Sequence, residues 1–66
     1  MELIINGEAR QWPGAGSVAA LLEFLQADPA QVAVLVNDEV VTKAQRADHL
    51  LRERDRVELL TLAGGG

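Results

Sequence analysis

The chain has 66 residues, ten of them acidic and six basic, with a net charge of −4 at neutral pH and no cysteine. A chain of this length buries only about 60% of its unfolded surface, which leaves room for one small domain. The lack of cysteine excludes disulfides and thiolate chemistry, the acidic balance argues against nucleic-acid binding, and no apolar run approaches the roughly 18 residues of a membrane span. We therefore expect one soluble cytoplasmic domain with no nucleic-acid partner and no membrane partner.

The first segments predict a β-hairpin. Glu2 to Ile5 is a short β-favouring run that ends in Asn6-Gly7, a dipeptide typical of type I′ turns. The predicted return strand runs from Glu8 to Trp12, and Pro13 ends it because proline cannot donate a hydrogen bond to the neighbouring strand.

One amphipathic helix follows the hairpin. Ser17 stands at a predicted N-cap position, where its side-chain oxygen can accept from a free N–H group of the first turn. The apolar residues after it recur at helical spacing: Val18, Leu21, Leu22 and Leu25. Pro29 disfavours the helical conformation at Asp28, so the predicted helix ends near Ala27.

The second half predicts three more strands, which are Val32–Val36, Glu39–Val41 after a turn at Asn37-Asp38, and Arg56–Leu62. The stretch from Thr42 to Leu51 is only weakly periodic and predicts a loop that carries a turn of helix. The predicted fold class is α+β, with one helix covering one face of one sheet.

The chain ends in Ala63-Gly64-Gly65-Gly66, a segment that folding does not require. Glycine loses more conformational entropy on ordering than any other residue and has no side chain to pack. Four residues reach at most about 13–14 Å, and a glycine backbone can enter a channel too narrow for a β-carbon. The carboxylate of Gly66 is therefore a candidate reactive group; a frayed end or a cloning scar is the alternative.

The order of these segments within so short a chain resembles the ubiquitin-like β-grasp sulfur carriers of the MoaD/ThiS family, and within it the thiamine-pathway branch. The resemblance rests on the strand into Asn6-Gly7, the Ser17-led helix, the stretch Val34–Val41, the strand Asp55–Leu59 and the terminal Gly65-Gly66. Arg54 departs from the glycine that many relatives have before Asp55. The resemblance implies one β-grasp domain, residues 1–62, in which a mixed sheet packs on one main helix, and a flexible glycine tail, residues 63–66.

The resemblance also implies a protein co-substrate that has no catalytic residues and binds no cofactor itself. An activating enzyme similar to ThiF or MoeB would use ATP to adenylate the carboxylate of Gly66, with Gly64, Gly65 and Gly66 entering its active site. A persulfide donor would then convert Gly66 to a thiocarboxylate. A ThiG-like thiazole synthase would take the sulfur into the thiazole ring of thiamine.

Strand alternation predicts where such partners dock. If the alternating set that includes Leu3 faces the helix, then Ile4, Leu60 and Leu62 lie together on the opposite face of the sheet. Exposed aliphatic clusters commonly mark partner sites, and cover by loops is the alternative. Glu2 and Glu58 nearby would steer the surface toward a basic partner.

Three other functions stay open. They are a MoaD-like small subunit of molybdopterin synthase, a ubiquitin-like modifier joined to lysine, and a binding module with an inert tail. MoaD-like tails more often have a proline before Ala-Gly-Gly, and here no proline follows Pro29. His49 is the only histidine and has no cysteine or second histidine to complete a metal site, so no metal ligand is predicted.

Overall fold

The computed structural model describes residues 1–62 as a mixed sheet packed on one helix. The elements are β1 Glu2–Ile5, β2 Glu8–Gln11, α1 Val18–Phe24, β3 Val32–Val36, β4 Glu39–Val41, a 3₁₀ helix at Lys43–Gln45, and β5 Arg56–Thr61. The sheet has five strands in the order β2-β1-β5-β3-β4. The last strand is therefore central, parallel to β1 and antiparallel to β3. The predicted α+β class is confirmed.

Both predicted hairpin turns are present, each with two consecutive residues at positive φ. Asn6 and Gly7 have φ of 50° and 84°, and Asn37 and Asp38 have φ of 52° and 71°. Positive φ at both central residues is the type I′ geometry, whose twist matches that of the flanking strands. Strand β2 ends at Gln11, one residue earlier than predicted, although Trp12 still exchanges backbone hydrogen bonds with Met1.

Helix α1 begins as predicted and ends earlier. Ser17 caps it, since its Oγ accepts from the N–H of Ala20 at 3.2 Å. The predicted end near Ala27 is wrong, because α1 stops at Phe24 and Gln26 takes a left-handed φ of 58°. The N–H groups of Gln26 and Ala27 donate back to Glu23 and Leu22, the paired hydrogen bonds of a Schellman motif. This motif closes the helix before Pro29 is reached.

We predict that Gln26→Gly stabilises the protein. The left-handed conformation costs a residue with a β-carbon about 1–2 kcal/mol, and the greater freedom of glycine in the unfolded chain offsets about 0.4–1 kcal/mol of the gain. The expected net rise in the free energy of unfolding is about 0.5–1 kcal/mol, measured by urea unfolding. Glu23→Gly in the body of α1 is the control and lowers stability by about 1 kcal/mol. A Gln26→Gly protein that is less stable than wild type would contradict the expectation.

The core lies between α1 and the face of the sheet that strand alternation predicted to be buried. Leu3, Val34 and Val57 come from three adjacent strands, Val18 and Leu21 come from α1, and all five are fully buried. Phe24 lies at the edge of this core and is 47% exposed. Within residues 1–62, no helix combines the length and apolar character needed to cross a membrane.

Candidate docking face and the carboxyl-terminal strand

The sheet face turned away from α1 carries an apolar patch centred on β3 and β5. Leu60 lies opposite Ala33 in the antiparallel ladder, and Leu35 lies opposite Val40 on the edge strand. Residues directly opposite one another point to the same face, so these side chains form one surface. Leu60 is 53% exposed and Val40 67% exposed. We call Ala33, Leu35, Val40, Leu60 and Leu62 the outer patch.

The structure brings together only part of the predicted docking set. Leu60 and Leu62 are both largely exposed, and alternation along β5 places them on the outer face. Ile4 lies on the same face but is half-buried and level with Arg56 in the parallel pairing of β1 and β5. Leu60 is the fourth residue after Arg56 along β5, which is a distance of about 13 Å at the rise per residue of a strand. Ile4 is therefore at the other end of this face.

Sequence reasoning missed the contribution of β3 and β4 to the outer patch. Leu35 and Val40 belong to strands of a predicted hairpin, but the pairing of β3 with β5, which brings that hairpin beside Leu60, was not predicted. Parity along a strand assigns a residue to a face, whereas its neighbours on that face depend on strand order and register. The usable signal was that Ala33 and Leu35 alternate with Val32, Val34 and Val36, which the structure buries.

Charged residues border the outer patch at one end. Glu58 lies opposite Leu35 and forms no ion pair with any described residue. Arg56 lies two residues before Glu58, on the same face of β5. It forms an ion pair with Asp38 at 3.0 Å, and both side chains are exposed. Glu2, which was predicted to lie near the patch, lies instead beyond Ile4 at the opposite end of this face, where it contacts Arg54 at 3.8 Å in a weak exposed pair. Among the described residues that border the patch, Glu58 is thus the unpaired carboxylate, and its role in steering a basic partner stays a prediction.

Two asparagines hold the central strand β5 from its two edges. Asn6 Oδ1 accepts from the N–H of Leu59 at 2.9 Å, on the side of β1. Asn37 Oδ1 accepts from the N–H of Arg56 at 3.0 Å, on the side of β3, and its Nδ2 donates to Asp55 Oδ1 at 3.0 Å. Each asparagine therefore serves twice, as a turn residue at positive φ and as a partner for β5.

We predict that Asn37→Asp destabilises the protein by about 1 kcal/mol. The substitution keeps the turn and the acceptor for Arg56, but it removes the donor to Asp55 and sets two carboxylates against each other. Asn6→Asp is the matched control, because only the Oδ1 of Asn6 has a hydrogen-bond partner among the described residues. Urea unfolding of both variants measures the difference. Equal loss in the two proteins would show that the Nδ2 contact contributes nothing.

Strand β5 leads directly to the carboxyl-terminal segment. Leu62, the last described residue, donates its N–H to the carbonyl of Gln31 at 2.7 Å and so prolongs the ladder by one residue beyond β5. The residues predicted to react or to enter a partner, Gly64, Gly65 and Gly66, lie outside the described residues. Their roles stay predictions.

Metal-ligand side chains do not cluster within the part of the chain that the structure describes. No three His, Cys, Asp or Glu side chains of residues 1–62 gather closely enough to hold a metal ion. His49 lies half-buried in the loop after the 3₁₀ helix, and Ser17 is used as a helix cap.

A five-stranded mixed sheet in this order, covered on one face by one helix, defines a small domain of the ubiquitin-like β-grasp class. The model of the ThiS family matches residues 3–66. Sulfur carrier protein ThiS from Escherichia coli is 30% identical over the whole length of both chains. The chain belongs to the ThiS family.

Solved structures and a longer relative extend this comparison. The crystal structure of the thiamine biosynthesis protein ThiS from Geobacter metallireducens superposes with a TM-score of 0.87 at 32% identity, over all of both chains. The solution structure of a thiamine biosynthesis protein from the same organism gives a TM-score of 0.83. A thiazole synthase from Paramagnetospirillum magneticum is 39% identical over all 66 residues of this chain, which span 20% of that relative's length.

Proposed function

We propose that this chain is a sulfur carrier of thiamine biosynthesis whose Gly66 carboxylate is converted to a thiocarboxylate. The observation that carries the proposal is the end-to-end match to a sulfur carrier protein of the same length, on a chain that ends in three glycines. On this proposal the chain is a co-substrate with no catalytic residue of its own. Residues 1–62 are the folded domain, and residues 63–66 are the segment that partners handle.

The chemistry explains why a partner with ATP is required. A carboxylate is a poor electrophile. When its oxygen attacks the α-phosphate of ATP, pyrophosphate leaves and an acyl-adenylate forms, in which AMP is a good leaving group. The terminal sulfur of a persulfide then displaces AMP, and a thiol must cleave the resulting acyl disulfide to release the thiocarboxylate. This chain has no cysteine, so both sulfur centres belong to partners. The carrier needs neither a bound cofactor nor a metal.

The proposed partners follow from this sequence of reactions. A ThiF/MoeB-like enzyme adenylates Gly66, a persulfide donor supplies the sulfur, and a ThiG-like thiazole synthase receives it. The last proposal has support from the thiazole synthase of Paramagnetospirillum magneticum, which contains within one chain a segment 39% identical to this one. The proposed site of action, together with these partners, is the cytoplasm.

The outer patch is the proposed docking surface for these partners. It lies on the strand that leads to Gly66, with Leu60 and Leu62 nearest to the terminal segment. Glu58 borders it and would guide a basic partner surface. Ile4 completes the far end of the same sheet face, and a partner that contacts both ends covers about 13 Å along β5.

Intact mass spectrometry with fragmentation tests the proposed function. The carrier is incubated with ATP, a ThiF-like enzyme and a persulfide donor, and we expect oxygen to be replaced by sulfur at Gly66. Fragmentation is needed because oxidation of Met1 adds nearly the same mass as that exchange. A carrier that lacks Gly65 and Gly66 is the control.

Three outcomes separate the alternatives. Sulfur at Gly66 that a ThiG-like thiazole synthase consumes supports the proposal. Sulfur at Gly66 that only a molybdopterin synthase consumes favours a MoaD-like role, and species of higher mass linked through lysine in cell extract favour a modifier. No mass change at Gly66 with a competent activating enzyme overturns the carrier assignment.

A further inference from the structure

Arg46 is a buried cation in a position that sequence reasoning assigned to a surface loop. It is 6% exposed, and no other polar or charged residue of the described chain is buried. No carboxylate forms an ion pair with it among residues 1–62. Its guanidinium instead donates to two backbone carbonyls, from Nη1 to Pro29 at 2.8 Å and from Nη2 to Val32 at 2.6 Å.

This pair of hydrogen bonds holds one particular loop. Burial of a charge is costly unless its hydrogen bonds are satisfied, and the Nε of Arg46 has no partner. An apolar side chain could fill the same volume without that cost. The rigid fork of arginine, however, fixes two acceptors at once, which no apolar residue can do. Here the two acceptors are the carbonyls at the ends of the segment 29–32, which leads from the loop after α1 into the first residue of β3.

The held segment also makes the backbone contact of Leu62, the last described residue. Gln31 lies between the two carbonyls that Arg46 binds, and its own carbonyl accepts from the N–H of Leu62 at 2.7 Å. The N–H of Gln31 donates to the carbonyl of Asp28 at 2.9 Å. Leu62 is therefore bonded to a segment that Arg46 holds at both ends.

The backbone of Arg46 links this arrangement to the helix. Its carbonyl accepts from the N–H of Ala19 in the first turn of α1 at 3.1 Å. Its side chain reaches the segment that follows the other end of α1. Arg46 thus connects the start of α1 and the segment after its end to the residues that bond Leu62.

We propose that Arg46 is a positioning residue that fixes where the chain leaves the sheet at Leu62, and so how Gly66 is presented to the activating enzyme. The functional half rests on the proposed sulfur-carrier function. The structural half does not, because it concerns the Leu62–Gln31 hydrogen bond alone. Gly66 is the fourth residue after Leu62, so displacement of the starting point changes the positions that the carboxylate can reach.

Arg46→Met tests the proposal, because methionine keeps an unbranched side chain but has no donor. We expect amide hydrogen exchange at Leu62 to rise by about 10-fold or more, since the Gln31 carbonyl is no longer held. We also expect kcat/KM of the ThiF-like enzyme for the carrier to fall by about 10-fold through misplacement of the reacting group. Arg46→Lys can hold one carbonyl but not both, so we expect its values to lie between those of Arg46→Met and wild type in both measurements. If Arg46→Met does not fold, Arg46→Lys provides the same test.

Val36→Ala is the control for general destabilisation. Val36 is buried at the other end of β3, opposite Val57, so its truncation weakens the fold away from Leu62. All variants are assayed where each is fully folded by circular dichroism. Protection of Leu62 that is unchanged in Arg46→Met, or lost equally in Val36→Ala, overturns the proposal.

The two halves of the proposal fail in different ways. Faster exchange at Leu62 with unchanged kcat/KM overturns the functional half, because the position of Leu62 would then have no effect on activation. If the wild-type chain is not thiocarboxylated at all, the proposed sulfur-carrier function fails. The Leu62 exchange measurement, which uses the carrier alone, still decides whether Arg46 holds the segment.

Discussion

Gly65→Val is expected to abolish formation of the Gly66 thiocarboxylate while leaving the stability of the domain unchanged. Among the described residues the buried core runs from Leu3 to Val57, and glycine has no side chain whose loss could weaken that core. Valine adds a branched β-carbon next to the reacting residue, in the segment proposed to enter the activating site. We expect a fall of at least about 100-fold in kcat/KM for adenylation, which follows from exclusion of the carboxylate from its reactive position.

The control for this prediction is the size series glycine, alanine, valine at position 65. Alanine adds one methyl group and is expected to give an intermediate rate, whereas the free energy of unfolding changes by less than about 0.5 kcal/mol in both variants. Pyrophosphate release measures adenylation, and urea unfolding measures stability. A parallel loss of stability and of activation would mean that residue 65 contributes to the fold, contrary to the proposed role of the tail.

Local patterns were sufficient to predict the elements of the fold. The two asparagine turns, the Ser17 cap, the strand β3 and the alternation of β5 depend on residues close in sequence, and all are present. The end of α1 was misplaced because Gln26 is not a residue that signals a left-handed C-terminal position, as glycine does. The early stop comes from the Schellman hydrogen bonds, which the sequence pattern did not reveal.

The candidate site was only partly predictable, because it depends on contacts between distant segments. Parity placed Leu60 and Ile4 on one face, but only the pairing of β5 with β1 and β3 shows that they are far apart on it. Arg46 gave no signal at all, since an arginine in a polar loop usually lies in solvent. Its burial depends on the carbonyls of Pro29 and Val32, which are 17 and 14 residues away along the chain.

Leu60→Ala is expected to weaken binding of the carrier to its activating enzyme much more than it weakens the fold. Leu60 is 53% exposed in the free protein and central in the outer patch, so burial of its side chain is completed only in a complex. Burial of the exposed half of this leucine is worth about 0.8–1.6 kcal/mol, which corresponds to a rise in Kd of about 4- to 15-fold when the side chain is removed. Isothermal titration of carrier into activating enzyme measures this change, and urea unfolding separates it from stability.

Leu50→Ala provides a matched control, because it removes the same side chain from a site away from the outer patch. Leu50 is 67% exposed and pairs with Ser17 beside the start of α1, so a general loss of apolar surface would affect both variants alike. We expect the Kd of Leu50→Ala to stay within about twofold of wild type, since isolated surface substitutions change free energies by about 0.5 kcal/mol or less. If Leu50→Ala weakens binding as much as Leu60→Ala, the partner contacts the helix side of the domain, and the outer patch is not the docking surface.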